Sequence, residues 1–157
     1  MIIYYTRSQK TKLFAEALGE IVGLPLYRLH SDLDNMKGFK FLIKALGMVF
    51  SNKGFPAHSL PDALPEEIYV CGPIWGGRLV GPAKYFLENT DLSKTKVNLL
   101  LTAETPVEKY RTRALEDLAK LQCIKGNAYI FATKKEQMPE KEIALEHLRE
   151  MLSSEEA

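Results

Sequence analysis

Short apolar runs alternate with stretches whose apolar residues recur every three or four positions, and this alternation runs the length of the 157-residue chain. Runs of strand length, rich in β-branched or aromatic residues, fall at Met1 to Tyr5, Ile68 to Cys71, Val97 to Leu101 and Asn127 to Ala132. They predict buried parallel strands. Leu24 to Leu29 alternates instead, and Pro25 cannot donate a ladder hydrogen bond, so this stretch predicts an edge strand.

Between the strands, Leu13, Phe14, Ala17, Leu18, Ile21 and Val22 keep helical spacing, with Gly23 as the stop and Pro25 beyond it. Further amphipathic helices are predicted over Val80 to Asn89, Pro106 to Gln122 and Glu140 to Leu152. Tyr110, Ala114, Leu115 and Leu118 share a face of the second of these; Ile143, Ala144, His147, Leu148 and Met151 share a face of the last. Pro106 suits a first-turn position. Strict alternation of strand and helix predicts an α/β doubly wound fold: a five-stranded parallel sheet of order 2-1-3-4-5, with helices on both faces and right-handed crossovers. No repeat or linker divides the chain, so residues 1–157 read as a single domain.

One segment exceeds the minimal repeat. Lys37 to Asn52 is apolar apart from its polar ends and Lys37, Lys40 and Lys44, which at i, i+3 and i+7 share one helix face. The expectation is a crossover helix between strands two and three, packed on the sheet with its lysines in water. A homodimer face and a membrane-surface helix are the other readings.

Charge and cysteine content narrow the classes. The chain carries 21 Lys+Arg and 20 Asp+Glu, which supplies no broad field for gripping nucleic acid. The balance hides an asymmetry, net +4 over residues 1–54 and −3 over 55–157. Cys71 and Cys123 are too far apart in sequence for a CxxC pair and read as buried, inert thiols. No apolar stretch is long enough to span a membrane and no signal-peptide core follows Met1, so the cytoplasm is the expected compartment.

In an open parallel sheet, ligands bind beyond the carboxyl ends of the strands. After strand one comes Thr6-Arg7-Ser8-Gln9-Lys10-Thr11, which combines hydroxyls, cations and a helix N-terminus. Such a loop suits a phosphate, or is simply capped by Thr6 or Ser8. After strand three comes Gly72-Pro73-Ile74-Trp75-Gly76-Gly77-Arg78, with the only tryptophan beside glycines that let backbone approach a flat ligand. A buried core tryptophan is the other reading. After strand four comes Thr102-Ala103-Glu104-Thr105-Pro106, a third polar loop at the same rim, or a helix cap by Thr105.

With these residues the chain resembles the flavodoxin-like family, specifically a short-chain flavodoxin or a bacterial flavodoxin-family protein. Thr6, Ser8 and Thr11 are similar to the family's phosphate loop, S/T-x-T-G-N-T, and Pro73-Ile74-Trp75-Gly76-Gly77 to its P-x-W-x-G flavin loop. Gly81 to Leu87 and Asp91-Leu92-Ser93 are also in the family's style, and the resemblance covers nearly the whole chain. It implies noncovalent FMN, with phosphate in Thr6, Arg7, Ser8, Gln9, Lys10 and Thr11, and the ring against Pro73, Ile74, Trp75, Gly76 and Gly77. Thr102, Ala103 and Glu104 would meet the pyrimidine end. The implied role is electron transfer with a redox partner protein or an NAD(P)H-linked reductase.

Two departures stand out. Gln9-Lys10 replaces the family's Gly-Asn, removing a glycine that permits positive φ. The third loop lacks a stacking aromatic, since Tyr110 is expected a full turn into its helix, which leaves one flavin face open. An open face suits an NAD(P)H-dependent FMN or quinone reductase; a lost glycine suits a partner-binding domain that no longer holds flavin. No nucleophile or acid–base pair is required for the carrier, and no metal motif is present in His30, His58 and His147. His30 and His58 read as surface residues and His147 as partly buried; Glu136, Glu140, Glu142, Glu146 and Glu150 read as a solvated face.

Overall fold

In the computed structural model, which describes residues 1–133 and 141–156, β1 (Ile2–Tyr4) is buried on both sides. Ile2 and Tyr4 pack with Phe14, Leu18, Leu100, Ala144 and Leu148, while Ile3 and Tyr5 join Val70, Phe86, Leu101 and Leu118 in a second core. That is the consequence of period-two geometry in a strand with helices above and below it. α1 (Lys10–Val22) and α5 (Lys141–Glu156) supply the first core, and α3 (Gly81–Asn89) and α4 (Glu108–Ala119) the second.

The parallel strands are β2 (Leu26–Arg28), β1, β3 (Glu67–Trp75), β5 (Lys96–Ala103) and β6 (Ile124–Ala132), in that spatial order. The layers and order follow the periodicity, with β2 at the edge. A sixth strand was not foreseen: β4 (Arg78–Leu79) folds back antiparallel on β3, pairing Trp75 with Arg78. Gly76 and Gly77 turn this hairpin with φ of 57° and 77°, as a type I′ turn requires. β3 and β5 each run past the predicted ends, so Pro73, Ile74, Trp75, Thr102 and Ala103 are strand residues rather than loop residues.

Other boundaries also differ. α4 starts after Val107, whose side chain makes no cap, so Thr105 does not cap it and Pro106 lies before the first turn. On α5 the predicted Ala144 and Leu148 are buried and Met151 packs against their cluster, whereas the predicted Ile143 and His147 face solvent and Leu145 packs inward instead. His30 and His58 are exposed, with His58 Nε2 2.7 Å from Asp32 Oδ1. Glu142, Glu146 and Glu150 are exposed, while Glu136 and Glu140 lie outside the described residues. Cys71 is buried, Cys123 only half-buried, and burial pushes both thiols up.

The extra helix, α2 (Gly38–Ser51), is not covered as expected. A 3-10 turn at Asp32–Asn35, capped by the Ser31 side chain, delivers the chain to it. Phe41, Ala45, Met48 and Val49 pack inward, but Phe39, Leu42, Ile43, Leu46 and Phe50 are exposed along with Lys37, Lys40 and Lys44. α2 therefore binds the body by a narrow stripe and turns most of its apolar surface outward.

Candidate functional site

The carboxyl ends of the strands enclose a cavity of about 630 Å³. It lies where doubly wound sheets hold ligands, and its size is ordinary for a small-molecule pocket. Its lining contains Ser8, Lys10 and Thr11 from the first loop, Pro73 to Gly77 from β3 and its turn, and Thr102, Ala103 and Glu104 from the end of β5. Thr105, Tyr110, Thr133, Phe41 and Ala45 complete it. The three predicted rim segments thus converge. Thr6, Arg7 and Gln9 are not among the lining residues.

The first loop keeps its turn without a glycine. Gln9, at the N-cap of α1, has φ 66°, and its carbonyl accepts the first helical bond from Leu13 N–H at 3.1 Å. The conformation expected to need glycine is adopted by glutamine, with the strain that a Cβ brings to the left-handed region. Neither Thr6 nor Ser8 caps the helix, since no side chain bonds its first turn. The Thr6 hydroxyl is buried with no hydrogen-bond partner. Thr11 Oγ1 lies 2.8 Å from Thr102 Oγ1, which ties the first loop to the end of β5. Lys10 Nζ donates to the Thr133 carbonyl at 3.3 Å.

Arg7 points away from the cavity. Its Nη1 donates to the Leu33 carbonyl at 2.6 Å and its Nη2 to the Met36 carbonyl, and its guanidinium covers the Phe41 ring. These bonds occupy the charge that sequence reasoning offered to a phosphate; Arg7 instead fastens the loop to the segment entering α2.

The aromatic wall is both core and surface. Trp75 is half-buried, edge-on to Tyr5 at 6.3 Å and to Phe41 at 5.5 Å between centroids. Gly81 lies against the ring so closely that a Cβ there would meet it at 3.2 Å. Behind Trp75, burial and then Asp34 push the Tyr5 phenol up, keeping it neutral. Across the Gly76–Gly77 turn stands Tyr110, close enough that a Cβ on Gly77 would meet its ring at 3.0 Å. Tyr110 is in the first turn of α4, not a full turn beyond the rim, because Val107 rather than Thr105 begins the helix. The aromatic thought to be missing therefore lines the cavity.

Lys10 and Glu104 are the charged lining residues among those described. A second cavity of about 230 Å³ lies between α3 and α4, lined by Leu79, Leu87, Leu99 and Leu118 around Lys84. Lys84 Nζ is already engaged by Asn52 Oδ1 at 2.5 Å and Asp117 Oδ2 at 3.4 Å. Among the described residues no three His, Cys, Asp or Glu side chains gather as a metal site, and no helix is long and apolar enough to cross a membrane.

No protein-family model matches the sequence, and no curated protein does either. Solved structures do match. A candidate flavoprotein from Bacteroides uniformis is 17% identical over 95% of this chain and 96% of its own, with a TM-score of 0.67. A second, from Bacteroides eggerthii, is 16% identical over 97% and 96%, also at 0.67. The NAD(P)H:quinone oxidoreductase of Methanothermobacter marburgensis is 13% identical over 96% of each chain, at 0.52. This chain has the flavodoxin-like fold. At these identities the likeness carries the architecture, so the chemistry of the site rests on its own residues.

Those residues fit a flavin phosphate at one end and a flat ring at the other. Ser8, Lys10 and Thr11 line the cavity at the N-terminus of α1, where hydroxyls, a cation and helix amides suit an anion, and beside them the Thr6 hydroxyl is buried with no hydrogen-bond partner among the described residues. Gly76 and Gly77 leave the turn without side chains, where a Cβ would press on Val49 and on Tyr110. Sequence reasoning placed Thr105 in the rim loop without naming it a site residue and missed Tyr110, Phe41, Ala45 and Thr133, of which Tyr110 had a signal in its place at the start of an apolar helical stripe.

Proposed function

We propose that the protein binds FMN in the 630 Å³ cavity and works as an electron-transfer flavoprotein. The observation that carries this reading is the convergence on one cavity of Ser8, Lys10 and Thr11, from a hydroxyl-rich helix N-terminus, and of two aromatic side chains, Trp75 and Tyr110. The flavin, when bound, supplies one-electron and hydride chemistry that no side chain here provides.

The chain's own residues bind and tune. Ser8 and Thr11 offer hydroxyls to the phosphate, and Lys10 offers a charge-assisted bond. Trp75 covers the ring and, with Phe41 and Ile74, keeps water from one of its faces. Glu104 near the polar edge of the ring disfavours added negative charge there, whereas Lys10 favours it. The retained turn at Gln9 and the aromatic at Tyr110 weaken the motives for a flavin-free domain and for an open-faced reductase. Redox partners are accordingly a protein or an NAD(P)H-linked reductase.

The test is a titration of the purified protein with FMN, followed by visible absorption and flavin fluorescence. Binding with a perturbed spectrum and quenched fluorescence is expected. A protein that leaves the FMN spectrum and fluorescence unchanged refutes the proposal. Steady-state oxidation of NADPH by the loaded protein alone would favour the reductase reading over the carrier.

A further inference from the structure

The outward face of α2 is unlike the rest of the surface. Phe39 and Phe50, near its two ends, are 75% and 85% exposed, and Leu42, Ile43 and Leu46 lie between them at 47–52%. At 100° per residue these five fall on one side of the helix, opposite the inward stripe of Phe41, Ala45, Met48 and Val49. Lys37, Lys40 and Lys44 run along the border of this face and Lys53 follows its end; all four are exposed, and among the described residues none forms an ion pair. No Asp or Glu occurs from Asn35 to Pro61, so the charge that the helix itself carries is of one sign.

We propose that α2 is a peripheral membrane anchor whose outward face lies on an anionic phospholipid bilayer. Phe39, Leu42, Ile43, Leu46 and Phe50 enter the acyl boundary, and the four lysines reach the phosphates of the headgroups with their long stems. The charge pattern selects this occupant over a second copy of the chain. An antiparallel two-fold contact through this face brings the two identical rows of lysines to the same side, with no carboxylate on either helix to meet them. An anionic lipid surface meets both features at once. Two polar clips hold the helix while its face is loaded: Arg7 on the Leu33 and Met36 carbonyls before it, and Asn52 at its C-cap on Lys84. The proposal stands apart from flavin binding, because the anchoring side chains are not those of the cavity.

Flotation of the full chain with vesicles tests it, using phosphatidylcholine alone and phosphatidylcholine mixed with phosphatidylglycerol. Flotation with the mixed vesicles only, weakened by salt, is expected. Phe39→Ser/Phe50→Ser and Lys40→Glu/Lys44→Glu should each reduce binding at least about tenfold, since a lysine near an anionic surface contributes roughly fivefold. All four side chains are exposed, so the circular dichroism of both variants should match that of the parent. No flotation with the mixed vesicles overturns the proposal, as does binding that ignores both variants or is equal on neutral vesicles. Absence of flotation together with a concentration-dependent dimer abolished by Phe39→Ser/Phe50→Ser assigns the face to a second copy instead.

Discussion

The guanidinium carbon of Arg7 sits 3.6 Å from the centroid of the Phe41 ring. One side chain thereby joins the loop after β1 to α2, because the same guanidinium also bonds two carbonyls of the segment between them. Charge-assisted hydrogen bonds and a half-buried cation–π contact together make this link worth about 2 kcal/mol. Arg7→Ala should lower stability to urea by that order. Because Arg7 is not part of the cavity lining, FMN affinity should change far less than it does on truncating a lining residue. Equilibrium denaturation and FMN titration of the same variant check both halves; a full loss of FMN binding in a stably folded Arg7→Ala protein would return Arg7 to the phosphate.

Gln9 holds φ 66° without a compensating side-chain bond at its cap. A glycine there removes the clash of Cβ in the left-handed region, at the cost of a freer unfolded chain. The strain term is the larger, so Gln9→Gly should stabilise by about 0.5–1 kcal/mol and Gln9→Val, branched at Cβ, should destabilise by more than about 1 kcal/mol. Urea midpoints of the two variants against the parent give the sign. A parent more stable than Gln9→Gly would mean that the glutamine side chain contributes contacts that outweigh the strain.

These two residues also mark where sequence reasoning stops. The sheet order and α1 were legible because hydrophobic periodicity is a local signal that burial enforces: Phe14, Leu18 and Leu100 are where their spacing put them. Arg7 finds its partners 26 and 29 residues away, in a turn whose position no local pattern specifies. Gln9 takes a conformation chosen by the loop rather than by its own preference. Tyr110 reached the cavity because α4 begins at a valine, which has no capping chemistry to announce it, while Pro106 pointed to an earlier start. The two-residue strand β4 is too short for alternation to show, and the outward turn of α2 contradicts the expectation that apolar helices are covered. Both become visible only when tertiary neighbours are known.

Asp117 links α4 to α3 and to the end of α2 through Lys84, Lys120 and Asn52. Burial pushes its carboxyl up, but the Lys120 hydrogen bond and the nearby Lys84 charge together outweigh burial and hold it below its ordinary value. A carboxyl depressed in the folded state stabilises fully above its unfolded pKa, about 4, and loses that contribution as pH falls through the folded value. Stability should therefore decline on acidification below about pH 4, partly through Asp117. Lys84→Met removes one cause of the depression and should cost roughly 2 kcal/mol at neutral pH, with a shallower acid decline. Urea unfolding across the acid range in both proteins tests this; parallel curves would mean that Lys84 does not act through Asp117.

Trp75 and Tyr110 both line the cavity, and their contributions to FMN binding should differ in kind. Trp75 also packs on Tyr5, Phe41 and Gly81, so Trp75→Ala opens the core as well as the site. A loss of about 3 kcal/mol in stability is expected beside a loss of FMN affinity. Tyr110 is only partly buried, beside the Gly76–Gly77 turn, so Tyr110→Leu should leave the fold nearly as stable while weakening FMN by severalfold, in line with about 1 kcal/mol for an aromatic contact. A side chain on the turn separates the two effects further. Gly77 has φ 77°, and a Cβ there would lie 2.8 Å from Arg113 and 3.0 Å from Tyr110, so Gly77→Ala must strain the hairpin and displace the tyrosine together. Its FMN affinity should fall at least as far as that of Tyr110→Leu, and the double variant should bind no more weakly than Gly77→Ala alone. Isothermal titration of the four proteins reads these differences directly, and additive losses in the double variant would show that glycine and tyrosine act on the flavin independently.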